Sequence, residues 1–393
     1  MVAPSGFQPL NRHKLRIAIV TNIIPHYRVD FYRRLFAAPD LEVTVYCQAD
    51  LPGSSIRSGH DAFAGHIRVV KAWGAADQRL AWQFLPVREV LGQSDVIVFS
   101  ANPRVLSTVV LASVARAMGK PVIMWGQGHA AGARRWSEAL RLWWLRRFDH
   151  ILLYVDAEID ALCGKGFARH ALLAINNGLD QQAIETAAAL WPAERLRRWR
   201  DEQGLSGRPI ILTCARLIAR NRFDLLLRAM EHMVAKVPRL LWCAVGDGPE
   251  AAALARQAAE RGLQDKVRWV GALYSEAELA PWFMSAAVLC HPGAIGLTLN
   301  HAFGYGLPVV THDDTAGHNP EIHYLKPGIN GAVYREGDPV SLAAVLMSFL
   351  AAPAATQSAG KAAMQTVRTE ANTAVMVQRF RAAVAGAAAA PAD

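Results

Sequence analysis

At 393 residues, 52% hydrophobic and with a formal charge of +9, the chain has room for about two domains with a sizeable core, and it suits an anionic partner: nucleic acid, nucleotide phosphate or an anionic membrane surface. Its five cysteines (Cys47, Cys163, Cys214, Cys243 and Cys290) are scattered without CxxC spacing, which argues for buried free thiols and against a disulfide framework or a cysteine zinc site. No stretch has the length of a membrane span and the N-terminus lacks a signal-peptide core, so the chain is expected in the cytoplasm, with any membrane contact peripheral at the inner face of the plasma membrane.

Residues 1–14 are polar and turn-rich and read as a frayed leader. Residues 15–21 (LRIAIVT) read as a buried strand, followed by the loop 22–28 and a helix starting near Val29 and Asp30. A strand feeding a helix in this way opens a Rossmann-like half. The G-x-G-x-x-G fingerprint is absent, which argues against a nicotinamide or flavin enzyme. A second strand is expected over 41–47, and the Gly- and Ser-rich residues 51–67 read as a mobile loop. A strand at 95–100 (DVIVFS), a helix at 105–118 and a strand at 121–125 come next, ended by Gly126, Gln127, Gly128 and His129.

The segment 133–148 (ARRWSEALRLWWLRRF) mixes Arg134, Arg135, Arg141, Arg146 and Arg147 with Trp136, Trp143 and Trp144. Two readings stand: a helix suited to lipid headgroups, or an ordinary crossover helix whose tryptophans face the sheet. Residues 151–155 are strand-like, and 175–180 (INNGLD) read as a strand end and turn near the close of the first half. Residues 184–206 read as helical and charged, ending at Gly204 to Gly207, and no low-complexity linker follows.

The second half alternates again. Strands are expected at 210–215, 240–245, 267–270 and 286–290, with helices starting at Asp224, Glu250 and Glu276 and a turn at Gly246-Asp247-Gly248-Pro249. The stretch 291–324 then organises the rest. His291, Pro292 and Gly293 break a strand, 296–305 forms a short helix ended by Gly304 and Gly306, and 307–310 starts the next buried strand. This is half of a doubly wound parallel sheet, in which ligands sit beyond the carboxyl ends of the strands. The helix N-terminus near Gly296 and Leu297 offers N–H groups and a positive dipole end to a diphosphate. The plainer reading is one more βα unit of a large sheet. The Ala-rich tail after Ala383 reads as loose.

Taken in order, these motifs resemble those of the glycosyltransferase family 4 group, which has the GT-B fold. Cys214-Ala215-Arg216-Leu217 through Arg222-Phe223-Asp224-Leu225-Leu226 is similar to G-R-L-x-x-x-K-G-x-D-x-L-I, and Gly246-Asp247-Gly248-Pro249 to G-x-G-P. Val270-Gly271 with Tyr274 is similar to F-x-G-x-V, and Gly296-Leu297 through Gly306-Leu307-Pro308-Val309-Val310 to G-L-x-x-x-E-A-x-x-x-G-x-P-V-V. Pro320-Glu321 with Gly328-Ile329-Asn330-Gly331 is similar to P-E-x-x-x-x-G-x-N-G, and Asn177-Gly178-Leu179-Asp180 to N-G-V-D. Three polar positions depart from the pattern. The family's two glutamates fall on Gly293 and His301, and its lysine falls on Asn221. An imidazole still hydrogen-bonds a ribose or phosphate oxygen, and Arg220 and Arg222 flank Asn221 with positive charge. Nothing obvious replaces the side chain lost at Gly293.

The resemblance implies an α/β protein of GT-B fold, with two Rossmann-like domains facing across a cleft: an acceptor-binding domain over 1–190, a nucleotide-sugar-binding domain over 191–370, and a C-terminal helix and loose tail over 371–393. It implies transfer of a sugar from a nucleoside-diphosphate sugar to an acceptor hydroxyl, with retention and without a required metal or cofactor, in surface polysaccharide or glycolipid assembly. The donor is expected against Arg216, Arg220, Asn221, Arg222, Gly246, Gly248, Gly296, Leu297, Thr298, His301 and Glu321, with Arg216 stabilising the leaving diphosphate. The acceptor, a saccharide or a lipid-linked sugar, is expected against Pro25, His26, Tyr27, Arg28 and Gln127, and His129 joins Arg216 as a catalytic candidate. Plainer alternatives stand beside these: a surface arginine for Arg216, a helix-cap carboxylate for Glu321, a solvated loop histidine for His129, and a solvated turn for Asp313 and Asp314. Two other functions fit the residues, namely a non-catalytic glycosyltransferase-like binding subunit and a GT-B nucleotide-sugar epimerase. No recognition helix or aromatic-basic motif points to nucleic acid.

Overall fold

The computed structural model describes residues 14–51, 56–74, 80–128 and 135–389. The first half runs β1 (Leu15–Val20), α1 (Val29–Phe36), β2 (Leu41–Cys47), β3 (Ile67–Val69), β4 (Ala72–Gly74), β5 (Ala81–Gln83), α2 (Val87–Gln93), β6 (Val96–Ser100), α3 (Leu106–Ala117), β7 (Val122–Trp125), α4 (Arg135–Leu145), β8 (His150–Leu153), α5 (Ala157–Cys163) and β9 (Leu172–Ala174). Helices α6 (Gln181–Ala189) and α7 (Ala193–Glu202) lead to the second half. It contains β10 (Ile210–Cys214), α8 (Phe223–Met233), β11 (Leu241–Val245), α9 (Ala251–Glu260), β12 (Val267–Gly271), α10 (Glu276–Ser285), β13 (Val288–Cys290), α11 (Leu297–Gly304), β14 (Val309–His312) and β15 (Gly331–Tyr334). Three helices follow: α12 (Pro339–Ala351), α13 (Pro353–Thr369) and α14 (Thr373–Ala389).

Two parallel sheets result, one of seven strands in the order β3-β2-β1-β6-β7-β8-β9 and one of six in the order β12-β11-β10-β13-β14-β15. Their strands are apolar on both faces, as sheets covered by helices on both sides must be. Ile17 and Ile19 pack towards α1 and α14, while Ala18 and Val20 pack towards α2 and α3. Leu212 and Leu289 pack with α10 and α11, and Ile211 with α8, α9 and α12. In each sheet the strand order reverses beside the first strand, since β1 lies between β2 and β6 and β10 between β11 and β13. Such a reversal leaves a crevice at the carboxyl ends of the strands, and every candidate loop issues from that edge.

Several expectations are corrected. Residues 184–206 are not one helix: α6 ends before Pro192, whose ring forbids a continuing helical turn, and α7 begins after it. The tail beyond Ala383 is not loose as far as Ala389. Phe380, Ala383, Val384 and Ala387 form one buried face of α14, and Phe380 meets Phe31 and Trp125 at ring distances of 5.8 and 5.9 Å. Composition suggested slack, but the spacing of these residues is that of an amphipathic helix. Part of the stretch 51–67 is pinned, with His26 N donating to Arg57 O at 3.0 Å and Gly59 N to Ile24 O at 2.8 Å. Residues 52–55, the leader 1–13 and the terminal 390–393 lie outside the described residues. All five cysteines are free thiols; Cys47, Cys243 and Cys290 are buried, and Cys163 and Cys214 are half-buried.

Helix α4 connects the neighbouring strands β7 and β8, as a crossover does. Trp144 is buried and meets Phe148 edge-on at 4.8 Å, whereas Trp143 is half exposed under the Arg147 guanidinium at 4.3 Å. Arg141 turns inward and Arg146 covers the Phe167 ring at 4.8 Å. Arg134 and the side chains of Arg135 and Trp136 lie outside the described residues.

Candidate active site

The carboxyl edge of the second sheet is built from close-packed loops. Leu217 N donates to Asp247 O at 2.9 Å and Glu250 N to Leu217 O at 3.0 Å, locking the turn after β11 onto the loop after β10. The glycines of that turn permit the contact, because a Cβ would lie 2.0 Å from Ala215 O at Gly246 and 2.3 Å from Leu217 O at Gly248. Their N–H groups are already engaged: Gly246 N donates to Gly271 O at 2.8 Å and Gly248 N to the Asp247 carboxylate at 2.7 Å. Both were expected to hold the donor. Here they let the turn after β11 pack against the loop after β10.

The loop after β10 carries the predicted phosphate residues. Asn221 is 8% exposed and its Nδ2 donates to Arg216 O at 2.7 Å, so it braces the loop from within and does not face the crevice as expected. Arg222 adopts a left-handed conformation with φ of 53° and pairs with Asp224 at 3.1 Å. It lines a cavity of about 530 Å³ shared with Arg228, Glu250 and Arg261. Arg216 and Arg220 remain exposed at the edge. Opposite them, Gly293 presses on the same loop; a Cβ there would lie 2.2 Å from Arg220 O and 2.7 Å from Asn221 Cα. The side chain missing at Gly293 is thus excluded by backbone. The first turn of α11 points its N–H groups, from Leu297 and Thr298, out of the helix end beyond Gly296. The Thr298 hydroxyl donates to Cys214 O at 3.4 Å, which sets this helix end beside the β10 loop.

His301 lies one turn further along α11. Its Nε2 sits 3.0 Å from the Glu276 carboxylate, which also accepts from the Tyr305 hydroxyl at 2.7 Å. Burial resists a charge on His301, but its bonds to the Cys214 thiol and to Glu276 outweigh that, and its pKa is raised to about 9. Burial likewise pushes Glu276 up, and the His301 bond and charge bring it below the usual carboxylate range. The imidazole expected to bond a ribose or phosphate oxygen is here paired with a glutamate, and the raised pKa favours its protonated form near neutral pH. Sequence reasoning passed over Glu276, although Ser275 and Glu276 at a helix start were there to be read. Asp313 and Asp314 cap turns, accepting from Glu336 N at 2.9 Å and Ala316 N at 3.2 Å. Among the described residues, no group of three or more His, Cys, Asp or Glu is placed to hold a metal ion.

On the first sheet, Pro25, His26 and Tyr27 follow β1 and Gln127 follows β7, so the fold brings them to one edge. Pro25 pairs with Ser58, His26 is exposed, and the Tyr27 ring meets that of His26 at 5.5 Å. Burial raises the Tyr27 pKa, the Arg28 charge lowers it and Glu321 raises it, so its hydroxyl lies within the fields of both halves. Arg28 does not line an open pocket. It is 7% exposed, with its guanidinium 5.1 Å from the Trp125 ring and 5.4 Å from Tyr154. Two unpredicted side chains hold the loop after β7. Glu158 Oε1 accepts from Gly128 N at 2.7 Å and Oε2 from Tyr154 N at 2.9 Å, while Arg141 donates to Gln127 O at 2.9 Å. His129 itself lies outside the described residues.

Glu321 also departs from expectation. It is 3% exposed and accepts from Asn177 Nδ2, so in this structure its carboxylate is held by the turn that joins the halves. Burial raises its pKa, and the Asn177 bond and the Arg28 charge oppose this. Asn300 Nδ2 holds the same turn through Asn177 O at 2.8 Å.

Residues 197–366 match the family described as Glycosyl transferases group 1. These residues form a group 1 glycosyltransferase domain. The GDP-mannose-dependent alpha-(1-6)-phosphatidylinositol monomannoside mannosyltransferase of Mycolicibacterium smegmatis is 29% identical over 166 residues, covering 40% of this chain and 42% of that relative. The match thus spans about two fifths of the relative's length. Over the whole chain, the structure of Anabaena HepE in complex with UDP aligns with a TM-score of 0.72 at 15% identity, covering 95% of this chain and 99% of that one. A glycosyltransferase from Rickettsia africae aligns with a TM-score of 0.72 at 11% identity over the same shares. The group 1 domain therefore sits in a GT-B fold of two Rossmann-like domains.

Proposed function

We propose that the chain transfers a sugar from a nucleoside-diphosphate sugar, held by the second sheet, to an acceptor hydroxyl presented by the first. The observation that carries this reading is that the loop after β10, with Arg216 and Arg220 exposed on it, lies beside the amino end of α11, where Thr298 reaches Cys214 O, at the reversal point of the second sheet. Cations and N–H dipoles fixed there oppose the charge that grows on a leaving diphosphate. The donor half spans 191–370 and the acceptor half 1–190, to which α14 (Thr373–Ala389) returns. Glu158 and Glu321 are both hydrogen-bonded inward, which supports a retaining front-side reaction without a carboxylate nucleophile.

The acceptor is a saccharide or a lipid-linked sugar in surface polysaccharide or glycolipid assembly, at the cytoplasmic face of the membrane. The mannosyltransferase relative bears GDP-mannose and a phosphatidylinositol glycolipid in its name, and the HepE structure holds UDP, so both bases belong in the test. Titration with UDP-, GDP- and dTDP-sugars, then product analysis with and without acceptor, tests the proposal. Tight donor binding without transfer or hydrolysis favours the binding-subunit reading, which the altered positions Gly293 and His301 support. A new sugar isomer formed without acceptor identifies an epimerase.

A further inference from the structure

Among the described residues of the first half, a run of exposed large apolar side chains lies away from α4. Strands β4 and β5 pair with Trp73 opposite Trp82, and these two rings are 72% and 39% exposed. The Ala81 bridge to Val105 lays this hairpin against α3, whose Val110 and Val114 are exposed one helical turn apart. Between them runs a groove of about 310 Å³, lined by Trp82, Phe84, Val87, Val110 and Val114. Phe84 is 60% exposed, and Met118, one turn beyond Val114, is 59% exposed. Single exposed apolar side chains are ordinary, but a continuous face of this kind marks an interaction surface.

Charge decides what covers it. Lys71 and Arg104 lie at the edges of the hairpin, Arg88 follows Val87, and Arg116 stands between Val114 and Met118; all are exposed. Arg147 closes the far end, where Arg116 donates to its carbonyl at 3.3 Å. Among the described residues at this rim, Glu89 is paired with Arg68 at 3.4 Å and Asp149 with Arg116 at 3.0 Å. A second copy of the chain would bring two basic rims together, whereas an anionic bilayer complements both the rim and the apolar face. Tryptophans at the rim of an apolar face suit the level of lipid headgroups.

We infer that the β4–β5 hairpin and the outer face of α3 dock on an anionic lipid bilayer. The hairpin is anchored over the end of β1, where buried Gln83 donates to Thr21 O at 2.9 Å, so docking sets the reversal edge of the first sheet at the membrane surface. That position suits a lipid-linked acceptor, a consequence that rests on the transfer reading. The docking itself does not.

The test is co-flotation of the full chain with vesicles at low salt, using phosphatidylcholine with about 30% phosphatidylglycerol against phosphatidylcholine alone. The wild type is expected to float with the anionic vesicles and to be released by salt. Trp73→Ser with Trp82→Ser, and separately Val114→Glu at an exposed helix position, are expected to lower binding roughly tenfold or more with unchanged circular dichroism melts. Three results overturn the inference: no binding by the wild type, full binding by both variants, or self-association abolished by Val114→Glu, which assigns the face to a second copy. No sugar enters the assay, so its failure leaves the transfer reading standing, and a failed transfer assay leaves the docking face standing.

Discussion

The Glu276 carboxylate lies 3.0 Å from His301 Nε2, and the two come from different helices, α10 and α11. His301 has its pKa raised to about 9, so its proton is held more tightly in the folded chain than in the unfolded one. The stability this contributes is fully present below pH of about 6.5 and is lost as pH rises through about 9. Replacing Glu276 by Gln is expected to cost about 1–3 kcal/mol near pH 7, because it leaves a half-buried cation without its partner. Thermal melts across pH check this. The gap between wild type and variant should narrow above pH of about 9, and a gap that stays constant refutes the pairing.

Acid should act at a different place. His318 Nδ1 accepts from Ile295 N at 3.0 Å while its Nε2 meets His312 O at 3.0 Å, so the neutral ring holds the turn between β13 and α11. Burial lowers the pKa of His318 and of His291 to about 4. Their contribution is therefore present above pH of about 6.5 and is lost as pH falls towards about 4. Amide exchange at Ile295 is expected to accelerate over that window. His318→Asn should flatten the acid limb of the stability curve; an unchanged limb would contradict the assignment.

Arg216→Ala is expected to lower kcat/KM for transfer by the equivalent of about 2–4 kcal/mol of transition-state stabilisation. Its side chain is exposed, so the melting temperature should stay close to that of the wild type. Normal kcat/KM in the variant removes Arg216 from the phosphate site.

Gly293→Glu restores the family's residue but not its function. The new Cβ would meet the Arg220 carbonyl at 2.2 Å, and that neighbour is backbone, which yields only if the loop after β10 moves. A loss of about 1–3 kcal/mol in stability is expected, without a gain in donor affinity. Calorimetry and nucleotide titration read both, and a variant as stable as the wild type would show that the loop gives way.

Chelation is expected to leave transfer intact, since Asp313 and Asp314 are engaged in turns. Loss of activity in EDTA, restored by magnesium or manganese, would place a metal in the reaction.

The alternating sheet was legible because strands such as β1 from Ile17 onward, β10 and β11 are mainly apolar and buried on both faces, which is the pattern of a sheet covered by helices on both sides. The reversal edge followed from the turns at Gly246 and Gly296. Less was legible where tertiary partners decide the role. Asn221 and Glu321 read as donor contacts in a motif, and the motif does not show that one also braces its own loop through Arg216 O and the other holds Asn177, 144 positions away. Glu158 and Glu276 carry no motif; only packing reveals what they hold. The hairpin of β4 and β5 is too short and too exposed to leave a period in the sequence.

The return of α14 has a consequence for the order of synthesis. Phe380, Ala383 and Val384 complete the core beneath β1 and β7, although about 200 residues of second-half chain are made between that sheet and this helix. A growing chain can therefore raise the second sheet as a finished unit while the first still shows an uncovered apolar face to solvent. Premature release of the chain just before Thr373 would harm the first half, far from the missing residues in sequence, and would leave it exposed to aggregation and proteolysis.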